Sequence, residues 1–148
     1  MLQKILNNKL RFVQFLFLVV LLVLVRAFEN QLFYDPFLDF FKKDFTKLRL
    51  PSFDLTQLFL GLLFRYTLNT IVSLGIICIL FKDLAMVKFA LVLYCFFFVI
   101  LIVAFFYIIY FSNENSNWVL FYVRRFLIQP IFVLLFVPGF YYQKQNQL

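Results

Sequence analysis

Histidine is absent from the chain, and with it go Ser–His and Cys–His nucleophile pairs and most zinc sites. Glycine and proline are scarce, at 3 and 4 residues, which leaves too few turn formers for a porin-like barrel. The two cysteines, Cys78 and Cys95, lie in separate apolar runs without a CxxC spacing, so they read as small buried side chains and not as a redox pair. Acidic residues number only 7, and no paired carboxylates or metal-ligand spacing is visible among them. Neither a metal nor a cofactor is expected, and no catalytic residues stand out.

What is present is apolar: 65% of the 148 residues are hydrophobic and 23% aromatic, with 25 Phe. A soluble domain is about half apolar and could not bury such an excess. The apolar runs are long and continuous where a barrel strand would alternate. The expected fold is therefore an all-α integral membrane protein, one membrane domain over 1–148. The net charge of +7 comes from 14 Lys and Arg that flank or interrupt apolar runs. Membrane lipid headgroups suit that pattern as counter-charge, and nucleic acid does not.

Four spans are expected, at about 12–28, 55–81, 89–111 and 118–142. The first follows Lys4, Lys9 and Arg11, and Val25-Arg26-Ala27-Phe28 lacks the small-x-small pattern of a cleavage site, so this span reads as a retained signal-anchor. Asp35-Pro36 is a helix start, and Phe37, Phe40, Phe41, Phe45 and Leu48 then recur at helical spacing. That pattern predicts an amphipathic helix over about 35–50, lying in the interface or packed on the protein's own spans. Pro51 ends it. Asp54-Leu55-Thr56-Gln57 resembles a capping box opening the second span. Along that span Arg65, Asn69 and Ser73 form one polar stripe at i, i+4 and i+8, which reads as interhelical glue or as a path for a substrate or ion. Lys82–Lys88 is expected as a short connection, 112–117 as a polar turn, and Pro138-Gly139 as the fraying end of the fourth span.

The fourth span holds Arg124-Arg125 with Gln129 and Pro130. An arginine at mid-bilayer costs about 3 kcal/mol, and each Leu, Ile, Phe or Val returns only about 0.3–0.6. The pair must lie near one interface or face protein or water. Pro130 clashes with the carbonyl of Phe126, so a kink is expected beside the arginines. Tyr122, Arg125 and Gln129 share one face, and Arg124 points elsewhere.

Four spans put both termini on one side. A cytoplasmic N-terminus gives Lys4, Lys9, Arg11, Lys82, Lys88 and Lys144 inside, against Arg26, Lys42, Lys43, Lys47 and Arg49 outside. The counts nearly balance; the absence of a base in the connection before span four and the concentrated charge of the N-terminal tail favour N-in, C-in. Arg26, Arg65, Arg124 and Arg125 then converge at the outer leaflet, with Glu29, Asp35, Asp54 and Glu114 as possible counter-charges. Snorkelling with structural ion pairs is one reading. Anion or partner recognition through Arg26, Arg65, Asn69, Arg124, Arg125 and Gln129 is the other.

At these residues the chain resembles a known family. Arg26-Ala27-Phe28-Glu29, Leu32-Phe33-Tyr34-Asp35-Pro36-Phe37-Leu38, Phe64-Arg65-Tyr66 with Leu68-Asn69-Thr70, Phe121 through Pro130, and Phe140-Tyr141-Tyr142-Gln143 are similar to blocks of the exosortase F system-associated proteins. These are small multi-pass proteins of flavobacteria-type bacteria. The resemblance implies an inner-membrane protein whose partner is an exosortase, a membrane enzyme that processes C-terminal sorting tails. Exosortases are understood to use Cys, Arg and His, so this chain is not itself that enzyme. The resemblance implies a non-catalytic accessory role at the outer leaflet. A membrane enzyme or carrier handling an anionic lipid-linked substrate through the arginines is the alternative.

Overall fold

A computed structural model describes residues 3, 6–111 and 116–147, and every regular element among them is helical. In chain order these are α1 (Lys9–Ala27), α2 (Glu29–Leu32), α3 (Phe37–Phe40), a 3-10 turn (Phe45–Lys47), α4 (Leu55–Phe81), α5 (Leu84–Phe111), α6 (Asn117–Ile128) and α7 (Ile131–Asn146). Three of them, α1, α4 and α5, are long and apolar enough to cross a membrane. Helices α6 and α7 meet at a 64° bend and would together make a fourth crossing. Several such helices make this a fold suited to a multi-pass helical membrane protein.

Helix α4 is the hub. The Asp54 carboxylate starts it by accepting from the backbone N–H of Thr56 at 2.9 Å and of Gln57 at 3.3 Å. The reciprocal half of a capping box is replaced: Asp54 N–H donates to the Tyr34 hydroxyl at 3.4 Å, not to Gln57. At the other end Lys82 adopts a left-handed conformation (φ 52°), and its N–H donates to the Cys78 carbonyl. Asp83 then caps α5, its Oδ1 accepting from Ala85 N–H at 2.9 Å. The reversal therefore takes two residues, Lys82 and Asp83, where a connection through Lys88 was expected, because both helices are capped by the turn itself.

Neighbouring contacts fix the directions. Leu58 and Leu62 of α4 pack with Ile102 and Phe105 of α5 at one end, and Phe81 packs with Ala90 at the other, so α4 and α5 are antiparallel. Leu18 of α1 lies against Gly75, and Arg26 shares a groove with Asn69, which makes α1 antiparallel to α4 as well. Asn117, at the start of α6, donates to the Phe45 and Leu48 carbonyls, whereas Phe140 of α7 meets Phe81 edge to face and Lys144 donates to the Phe81 carbonyl at 3.0 Å. The bent pair thus runs the full length of the bundle beside α4. Helix α1 is peripheral, with no buried residue.

Three expectations need correction. No amphipathic helix spans 35–50: α3 is a single turn, and the chain from Leu48 to Asp54 is not helical. Its phenylalanines are inside the protein. Phe37 is wholly buried against Phe105, Phe53 and Phe40, and Phe45 packs on Phe121 and Trp118. Asn117 satisfies the Phe45 and Leu48 carbonyls from another helix, where no helical ladder does so. Second, the span over 118–142 is broken, not merely kinked. Pro130 has no N–H for the Phe126 carbonyl, and Ile131 N–H turns back to the Gln129 carbonyl at 2.8 Å across Pro130 (φ −77°, ψ 48°), an inverse γ-turn. Pro138 does not end the second piece, which continues to Asn146. Third, Cys78 and Cys95 are exposed; on helices that face lipid a small soft side chain suits the outside as well as the core.

Candidate functional site

The segment between α1 and α4 caps one end of the bundle and carries two carboxylates into it. Glu29 stands at the start of α2 and accepts from Arg65 Nη2 of α4. Asp35 stands just before α3. Its Oδ1 accepts from Phe37 N–H at 3.2 Å, its Oδ2 accepts from Arg124 Nη2 of α6, and Arg65 Nη1 lies 3.7 Å from the same oxygen. Glu29, Arg65, Asp35 and Arg124 form one chain of alternating sign and zero net charge. The side chains of Arg65, Asp35 and Arg124 are 2%, 4% and 5% exposed. The same segment also shields the faces of both guanidiniums, with Phe33 5.3 Å from Arg65 and Phe41 5.5 Å from Arg124.

Close packing is what lets the segment reach. A Cβ on Gly61 would stand 2.8 Å from the Tyr34 carbonyl oxygen, so the backbone next to Asp35 lies directly on α4 at a position without a side chain. One turn beyond Arg65, Asn69 Nδ2 donates to the Ile128 carbonyl at 3.0 Å. That carbonyl loses its helical partner where α6 stops, so Asn69 satisfies a group that the proline break exposes. Tyr66 donates to the Tyr94 carbonyl at 2.7 Å and ties α4 to α5.

The expected residues are therefore divided. Arg65 and Arg124 meet Glu29 and Asp35 inside; Asn69 braces the break. Arg125 points outward, its Nε donating to Gln129 Oε1 at 3.1 Å on an exposed face shared with Tyr122. Arg26 is exposed and pairs with no carboxylate among the described residues. Asp54 serves as a helix cap, and Glu114, with most of the turn over 112–117, lies outside the described residues, as does Lys4. The four arginines do not make one cluster. Sequence reading missed Gly61 and Asn117; a glycine in an otherwise bulky helix and an asparagine beside a span were the available signals.

Depth separates the arginines as well. Helix α4 is about 40 Å long, with Arg65 about 15 Å and Asn69 about 21 Å from its Leu55 end. Wherever a hydrocarbon slab of about 30 Å falls within that length, the Asn69 level is at least about 9 Å below the nearer face. Arg26 lines a groove of about 360 Å³ with Asn69, Leu22, Val23, Ala27, Ile128 and Pro130. Arg26 thus stands near the level of Asn69, about halfway along α4.

Compared with protein-family models, curated proteins and solved structures, the chain gives no match in any of the three. The fold and the buried network stand on their own residues: an all-helical protein with three to four apolar helices, locked at one end by a capping segment through internal charge.

Proposed function

We propose that the chain is a non-catalytic accessory protein of an exosortase sorting system. It crosses the bacterial inner membrane four times, with both termini cytoplasmic and the 28–54 cap at the outer leaflet. The observation that carries the reading is the charge matching of Arg65 and Arg124 by Glu29 and Asp35. Charges committed in this way hold the cap on the bundle and leave little for a substrate anion. On the outer side of the broken span Tyr122, Arg125 and Gln129 stand beside the exposed apolar Trp118, Val119 and Phe126, polar groups of the kind that pack on another membrane helix. The sequence blocks similar to exosortase-associated proteins contain all four members of the network, and this supports the same assignment.

Co-expression with an exosortase, mild solubilisation and affinity capture of the tagged chain test the reading. Co-elution is expected, and Arg125→Glu should weaken it while leaving the chain's own membrane level unchanged. An exosortase eluting wholly apart from the wild-type chain would rule the association out. Orientation is checked by single cysteines at Asp39 and Lys88 in a Cys78→Ser, Cys95→Ser background. An impermeant thiol reagent added outside the inner membrane should label the first and spare the second. The alternative, an enzyme or carrier acting on an anionic lipid-linked substrate through the arginines, requires activity to vanish in Glu29→Gln even where the protein level is kept.

A further inference from the structure

We propose that the groove between α1, α4 and the α6–α7 break holds one anionic phospholipid, its phosphate on Arg26 and an acyl chain along the apolar wall. This inference does not depend on the exosortase reading. Arg65 and Arg124 are neutralised within the chain, whereas Arg26 has no carboxylate among the described residues and lies level with the middle of α4. A guanidinium at that depth demands an anion or a route to the headgroups. Leu22, Val23, Arg26, Ala27, Asn69, Ile128 and Pro130 line the groove with an almost wholly apolar surface, so the acyl chain takes the groove and the phosphate meets Arg26 at its mouth. Asn69 is already engaged through its Nδ2 with the Ile128 carbonyl.

The chemistry selects the occupant. A peptide strand in such a groove would leave its backbone N–H and C=O groups without partners. A phospholipid brings an acceptor-only phosphate for the planar guanidinium and a chain that asks for no hydrogen bonds. The volume, about 360 Å³, falls within the span of ordinary ligand pockets, about 300–1,000 Å³. It suits part of one chain, with the remainder of the lipid continuing into the bilayer.

Titration of the delipidated full chain in detergent, followed by native mass spectrometry, tests this with phosphatidylglycerol, phosphatidylcholine and inorganic phosphate as probes. One phosphatidylglycerol should bind about tenfold more tightly than phosphatidylcholine, and inorganic phosphate should not displace it. Arg26→Gln should abolish the preference. Val23→Trp, which fills the groove and keeps the charge, should weaken phosphatidylglycerol about tenfold as well. Arg125→Gln, which removes the other outward guanidinium, should change nothing. The proposal is overturned if Arg26→Gln binds as the wild type does, if Arg125→Gln loses as much as Arg26→Gln, if Val23→Trp has no effect, or if free phosphate competes with the lipid.

Discussion

The two ends of the bundle reverse the chain in opposite ways. At one end α4 passes to α5 through Lys82 and Asp83 alone, and the basic residues Lys82, Lys88 and Lys144 stay on the periphery. At the other end the long segment from Phe28 to Asp54 folds over the helices, and charge goes inside. The capped end can hold Arg65 and Arg124 only because the cap itself supplies Glu29, Asp35 and the rings of Phe33 and Phe41. Arg124 and Arg125 repeat the contrast at the scale of one residue. They are adjacent in sequence, and one is nearly sealed against Asp35 while the other rests on Gln129 in the open. A charge in an apolar chain is therefore placed by its partner, not by its neighbours.

If the cap and the helices are fastened through charge, the largest effect belongs to Asp35. Asp35→Asn leaves Arg124 buried without its carboxylate and should cost about 3–5 kcal/mol, read as a fall in thermal or denaturant stability in micelles. Gly61→Ala drives a Cβ into the Tyr34 carbonyl oxygen and should cost about 1–3 kcal/mol, with proteolysis between Leu38 and Asp54 rising as the cap lifts. Asn69→Leu strands the Ile128 carbonyl at the proline break and should cost about 1–2 kcal/mol, measurable in the same assay. Arg125→Gln should stay within about 0.5 kcal/mol of the wild type. An Arg125→Gln variant as unstable as Asp35→Asn would erase the distinction between the two arginines.

Much of this was legible in the chain. Helix α4 was readable to the residue, because Asp54 caps it and Lys82 interrupts the apolar run; α1 and α5 start three and five residues earlier than hydropathy suggests, since Lys9, Leu84 and Lys88 tolerate helix at a polar edge. Helix direction nominates Glu29 and Asp35 as counter-charges together with Asp54, which caps α4 instead, and Glu114, which lies outside the described residues. The cap could not. Phe37, Phe40, Phe41 and Phe45 recur at a helical spacing, but the rings find Phe105, Phe121 and Trp118, and those partners come from helices far along the sequence. Spacing records which residues are apolar and is silent on whether lipid or protein covers them. Likewise Pro130 and Pro138 look alike in sequence. At the first, Asn69 takes over the Ile128 carbonyl and Ile131 closes a γ-turn where the helix breaks, whereas the second has no such substitute among the described residues and stays within α7.

The central claim is that Asp35 and Arg124 are coupled across the capped end. A double-mutant cycle over Asp35→Asn and Arg124→Met measures that coupling directly. The fold described here predicts an interaction of at least about 2 kcal/mol, the double variant being more stable than the two single losses combined would allow. Losses that add to within about 0.5 kcal/mol would contradict it.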